Sequence, residues 1–197
     1  MLKNSFNIAF FASHNGSNMQ KIIDAYKNSI IKSRPSLVIS NNSKAFALER
    51  AKKEKIPNVH ISYKNLLGKE NEEKAILYVL DYYKIDLIVL AGYMKKIGSE
   101  ILEEYKNRII NIHPSLLPKY GGKGMYGMSV HKAVFESNDK ESGATVHFVD
   151  QNYDEGKIIL QQKVNIENYH SAEEISKAVL EIEHKIYIQA IKKLENI

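Results

Sequence analysis

Apolar residues fall into short runs, separated by stretches where they recur every three or four positions. Phe6 to Ala12 is such a run and reads as a buried strand, and Met19 to Tyr26 continues with helical spacing. Ser36 to Ser40 predicts a second strand, Phe46 to Lys53 a helix, and Val59 to Ser62 a short third strand. Between Glu70 and Tyr83, the residues Ile76, Val79, Leu80 and Tyr83 line one helical face. Asp86 to Ala91 is apolar on both alternations, the pattern of a central parallel strand covered on both sides. A short helix around Leu102 and Tyr105 and a strand over Arg108 to Ile112 follow. The remainder predicts a helix over His131 to Glu136 and strands over Ala144 to Asp150 and Lys157 to Val164. A last helix carries Ile175, Val179, Ile182 and Ile186 on one face.

This alternation predicts an α/β fold: one Rossmann-like domain over residues 1–197, with a mostly parallel sheet and helices on both faces. Ligands of such sheets bind beyond the carboxyl ends of the strands. The loops after Ala12, Ala91 and Ile112 are therefore expected to meet in one crevice. Residues 114–127 break the rhythm, since two of the four prolines and four of the ten glycines lie there. They predict a long loop, and long loops in compact domains are often functional.

Composition narrows the chemistry. At 197 residues and 44% hydrophobic, the chain can bury a core without covalent staples. It has no cysteine, which excludes disulfides, thiolate metal sites and a cysteine nucleophile and fits a reducing compartment. The amino terminus lacks a signal-peptide layout, and no apolar stretch is long enough to span a bilayer; a cytoplasmic, membrane-free protein is expected. The formal charge of +5 comes from lysines interspersed with glutamates, as in KENEEK and ERAKKEK, without a basic block carrying aromatics. That argues against a nucleic-acid partner and leaves at most steering of anionic small substrates.

Three segments carry candidate chemistry. Ser13-His14-Asn15-Gly16-Ser17-Asn18 follows the first strand and opens a helix. There the amides of Gly16, Ser17 and Asn18 could hold a phosphate, or Ser17 could simply cap the helix. Asn111 and His113 stand two apart at the end of a strand and so project to one side. An amide beside an imidazole can stabilise an oxyanion and handle a proton; the plainer reading is a satisfied buried asparagine and a loop histidine. The acidic loop from Asp150 to Gly156 is either solvated or the source of a carboxylate for His113, with Asp154 the better candidate and Asp150 a strand end. His147 reads as a packed strand histidine, and His131 and His184 as helix residues. No histidine pair has metal-ligand spacing together with carboxylates, so no metal is expected.

The pieces FNIAFFASHNGSNMQKII, IDLIVLAGYMKKI, RIINIHPSLLPKYGGKG, GATVHFVDQNYDEGKIILQQKV and EIEHKIY together resemble the phosphoribosylglycinamide formyltransferase family, in the family's order and over most of the chain. The resemblance implies a formyltransferase fold and transfer of a formyl group from 10-formyltetrahydrofolate, as co-substrate, to the amine of glycinamide ribonucleotide in purine synthesis. It implies Asn111, protonated His113 and Asp154 as catalytic residues, and Gly16, Ser17 and Asn18 at the substrate phosphate. Glu183 would meet the ribose hydroxyls. Tyr93, Met94, Lys95, Lys96 and Ile97, with the loop from Val149 and Asp150 to Asp154, would receive the folate, Lys95 lying towards its glutamate tail. A cis Leu117–Pro118 bond also belongs to the resemblance. The sequence departs from the family at His14, often glycine, and in the segment Gly121 to Met128, which is longer and richer in glycine. Two other readings are a 10-formyltetrahydrofolate deformylase and a non-catalytic nucleotide-binding module; the second would need the phosphate loop but not the three catalytic groups together.

Overall fold

In the computed structural model, residues 6–64 and 68–195 are described. They form a seven-stranded, mostly parallel sheet in the order β3-β2-β1-β4-β5-β6-β7, with helices between the strands. The strands are β1 (Asn7–Phe11), β2 (Arg34–Ser40), β3 (Asn58–His60), β4 (Leu87–Leu90), β5 (Ile109–His113), β6 (Glu141–Phe148) and β7 (Ile158–Asn165). The helices are α1 (Ser17–Lys27), α2 (Phe46–Lys53), α3 (Lys69–Tyr82), α4 (Ser99–Glu104), α5 (Met128–Glu136) and α6 (Ala172–Leu194). The chain divides into two compact units, Met1–Ile110 with Ile191–Ile197, and Asn111–Ala190, so the division falls inside β5 and inside α6. Among the described residues, no helix is long and apolar enough to cross a membrane.

In the first unit, β3, β2, β1 and β4 pair in parallel. Their sequences are apolar on both alternations because both faces are covered: Ile8 to Phe11 are fully buried, as are Ile88 and Val89. Ser13 ties the carboxyl ends together. Its N–H donates to the Gly92 carbonyl (2.9 Å), its hydroxyl donates to Asn41, and the same oxygen accepts the Met94 N–H (2.8 Å). The loops after Ala12 and Ala91 therefore meet, as expected.

α1 begins differently from the simple capping expectation. The cap position is Gly16, at φ 67°, with no side-chain cap, and Ser17 is already helical. Glycine is needed on two counts. The left-handed backbone suits a residue without a side chain, and a Cβ here would stand 2.9 Å from that of Ala47. From α2, Arg50 grips the same loop, its Nε donating to the Asn15 carbonyl (2.8 Å) and Nη2 to the Asn15 side-chain oxygen (3.1 Å).

In the second unit, β6 and β7 are antiparallel, with an irregularity in register between Val146 and His147. β6 begins at Glu141 rather than Ala144. Gly143 allows this, since any Cβ there would come within 2.2 Å of the Gln162 carbonyl across the pair. The strand also stops at Phe148, before the expected Asp150. The Phe148 N–H bonds the Lys157 carbonyl, and the chain then turns, with Asp150 accepting the Asn152 N–H at 2.8 Å. Asp150 is thus a turn residue, not a strand end. α5 starts a turn earlier than the spacing predicted. Within α6, Ile175, Val179, Ile182 and Ile186 are all buried, as their spacing requires.

Candidate active site

Asn111, His113 and Asp154 come together inside the second unit. β5 carries Asn111 and His113 on one side, two residues apart. The turn between β6 and β7 brings Asp154 to them, with its Oδ2 3.4 Å from His113 Nδ1. The carboxylate is further held by the Gly122 N–H, which donates to Oδ2 at 2.9 Å. This gives the glycine-rich segment a first structural role. On the other side of the ring, His113 Nε2 lies 2.8 Å from the Tyr120 carbonyl. A carbonyl only accepts, so Nε2 carries the proton.

Both residues that present a partner to His113 have left-handed backbones, Tyr120 at φ 55° and Asp154 at φ 60°. A tyrosine there costs on the order of 1–3 kcal/mol, which the surrounding contacts must hold in place. Those contacts centre on Thr145, which is fully buried on β6. Its hydroxyl donates to the Ser115 carbonyl (2.6 Å) and accepts from the Leu117 N–H (3.1 Å) and from Gln161 Nε2 (2.8 Å). Gln161 also donates to the Leu117 carbonyl at 3.0 Å, and the Ser115 hydroxyl donates to the Lys119 carbonyl at 2.6 Å. The Leu117–Pro118 bond in this turn is cis.

Electrostatics modify the expectation of a protonated His113. Burial lowers its pKa, and nearby His147 lowers it further. Asp154 and the Tyr120 carbonyl pull the other way, and the net direction is down from 6.5. The imidazole therefore favours its neutral form at neutral pH. Asp154 is the converse case. Burial opposes its ionisation, but His147, His113 and the Gly122 N–H outweigh that and hold the carboxyl below its usual range. The pair rests as carboxylate and neutral imidazole.

Of the histidines given structural readings from sequence, one touches this site and a second is buried near it. His147, 2% exposed, places Nε2 3.2 Å from Asn111 Nδ2 and 3.6 Å from Asp154 Oδ1. Period-two alternation places His147 on β6 but does not say that Asn111 and Asp154 stand against it. His131, on α5, is 4% exposed and close enough to His113 to feel its charge, and its Nδ1 is buried without a hydrogen-bond partner. Burial drives its pKa down to about 4.

The other expected residues lie as follows. Gly16, Ser17 and Asn18 form the start of α1 in the first unit. Tyr93 to Ile97 follow β4 in the same unit. Tyr93 packs edge-on to Phe11, its hydroxyl pKa raised by burial and by Glu72, and Met94 is exposed. Lys95 is already engaged, paired with Glu72 at 2.7 Å and stacked 4.5 Å over the Tyr63 ring. Lys96 is exposed and Ile97 buried. Val149, Asp150 and Glu183 belong to the second unit, the first two in the β6–β7 turn and Glu183 half-buried on α6. Among the described residues there is no cluster of three or more His, Asp or Glu side chains able to hold a metal.

Comparison with known proteins returns one consistent family. The formyl transferase family model matches residues 6–191. Phosphoribosylglycinamide formyltransferase from Haemophilus influenzae is 41% identical over 94% of this chain and 85% of its own length. The chloroplastic enzyme of that name from Arabidopsis thaliana is 38% identical over 93% of this chain; the chain spans 63% of that relative's length. Among solved structures, glycinamide ribonucleotide transformylase 1 from Geobacillus kaustophilus superposes with a TM-score of 0.89 at 35% identity, covering 96% of this chain and 98% of that one.

Proposed function

The chain belongs to the formyl transferase family, and from that premise we propose that it transfers the formyl group of 10-formyltetrahydrofolate to the amine of glycinamide ribonucleotide. The product is formylglycinamide ribonucleotide, a step of purine synthesis, and residues 1–197 act as one formyltransferase domain. The observation that carries this reading is the gathering of Asn111, His113 and Asp154 in one cluster, His113 paired with Asp154 and both Asn111 and Asp154 facing His147.

The step is a displacement at a formyl carbon. The amine nitrogen bonds to that carbon, its C=O oxygen takes up negative charge, and the bond to N10 of the folate then breaks. The amine loses one proton and N10 gains one, so nothing beyond the two substrates is consumed. Asn111 donates an N–H to the growing oxyanion. His113 takes up the amine's proton, and Asp154, ionised at rest, holds the imidazolium until the proton passes to N10. In the first unit, the amides of Gly16, Ser17 and Asn18 at the start of α1 suit the substrate phosphate. Tyr93 and Met94 offer an apolar surface for the pterin beside Ile97, and Lys95 and Lys96 place two cations on the same segment for a glutamate tail. Glu183 is assigned to the ribose hydroxyls, and Val149 and Asp150 to the folate.

The test is a spectroscopic assay of formyl loss from 10-formyltetrahydrofolate with and without glycinamide ribonucleotide. Turnover that depends on the ribonucleotide and yields its formylated product supports the reading. Equal turnover without it makes the protein a deformylase, and no turnover by folded protein leaves a binding module or another acceptor.

A further inference from the structure

His147 is in contact with two of the three proposed catalytic groups, yet it has no part in the chemistry above. Its ring makes one hydrogen bond whose direction is fixed: Nδ1 lies 2.8 Å from the Phe148 carbonyl, which can only accept. Nδ1 therefore carries the proton, and a neutral ring leaves a lone pair on Nε2. Facing that lone pair at 3.2 Å is Asn111 Nδ2, an amide nitrogen that donates. Asp154 Oδ1, at 3.6 Å, is beyond hydrogen-bond range.

The consequence falls on Asn111. The last torsion of an asparagine is roughly two-fold, so an untethered carboxamide would offer either its nitrogen or its oxygen along a given direction. An oxygen turned towards a growing oxyanion repels it, whereas an N–H stabilises it. With Nδ2 held by His147 through one hydrogen, the amide is locked in one orientation and keeps its second N–H. Near-complete burial keeps water from competing for Nε2.

We propose that His147 is a positioning residue for formyl transfer, which orients the Asn111 carboxamide through a backbone-fixed tautomer. This rests on the catalytic role given to Asn111 under the proposed function.

Steady-state kinetics with both substrates on Asn111→Ala, His147→Leu, the double variant and His147→Gln test it. His147→Leu is expected to lower kcat by roughly 10–100-fold, below the loss from removing an oxyanion donor outright, with both KM values within about twofold. In the Asn111→Ala background the same change should add less than about twofold, because its target is gone. His147→Gln, whose amide oxygen can accept the same N–H, should recover part of the loss. Additive losses, or an effect on KM alone, would overturn the proposal. A wild-type rate in Asn111→Ala would instead sink the catalytic assignment of Asn111. Should the leucine variant not fold, ring nitrogen shifts of the wild type decide the matter: the Nδ1–H tautomer supports the proposal and the Nε2–H tautomer overturns it.

Discussion

Gly156→Ala tests how the β6–β7 turn delivers Asp154. Gly156 is buried, and a Cβ built on it would stand 1.8 Å from the Phe148 carbonyl oxygen and 2.8 Å from its carbon. Contacts of a real Cβ are essentially never under 3.0 Å, so backbone must move by at least 1.2 Å (3.0 − 1.8). The atom it strikes is the carbonyl that fixes His147, and Asp154 is two residues away on the displaced turn. Overpacking of this kind costs about 1–3 kcal/mol. For a chain of this length, each kcal/mol moves the melting temperature by about 2–4 °C, giving an expected fall of roughly 2–12 °C. Misplacing a catalytic group by about 1 Å costs on the order of 100-fold in rate, so kcat should fall by a similar factor in protein that remains folded at assay temperature. Calorimetry and steady-state turnover on the same preparation check both. A melting temperature within about 1 °C of wild type and kcat within about twofold would refute the idea that this turn needs a bare glycine to hold Asp154 in place.

Three other outcomes are expected. Asn111→Ala should keep the wild-type circular dichroism spectrum and lose about 10²–10³ in kcat, the usual worth of an oxyanion donor; a smaller loss in the same turnover assay counts against that role. Thr145→Val removes the acceptor of two donors and the donor to Ser115, and should cost about 1–3 kcal/mol in urea unfolding, read from the midpoint at constant slope. His131 gives the protein a pH signature. Its pKa is about 4 when folded against 6.5 as the ordinary value, so the folded state resists its protonation. Its stabilising contribution is full above about pH 6.5 and lost as pH falls towards 4, by roughly 3 kcal/mol at about 1.4 kcal/mol per tenfold in affinity. His131→Leu should flatten the fall in melting temperature across that window, and an unchanged slope would assign the effect to another group.

How far the sequence could be read depended on whether a residue's role was local. The alternation of β4 and the single apolar face of α6 are consequences of burial that each segment repeats for itself, so periodicity revealed them. The same holds for Asn111 and His113, which share one strand face because side chains alternate. Asp154 was singled out by the chemical need of a histidine for a carboxylate, together with its place one residue before Gly156. Failures arose where a role depends on what another segment places opposite. His147 read as a packed strand histidine, and strand alternation has no symbol for Asn111 and Asp154 standing against it. The resting charge of His113 was not legible for a related reason. Sequence showed the carboxylate that raises its pKa but not the burial, summed over distant residues, that lowers it more. The left-handed Tyr120 and Asp154 show both effects at once. Tyr120 occupies a conformation its residue type does not favour, and both turns are held by Thr145, Gln161 and Gly122. The buried Thr145 network and His147 are therefore where the geometry of His113 and Asn111 is set, and substitutions there should alter turnover without touching either residue.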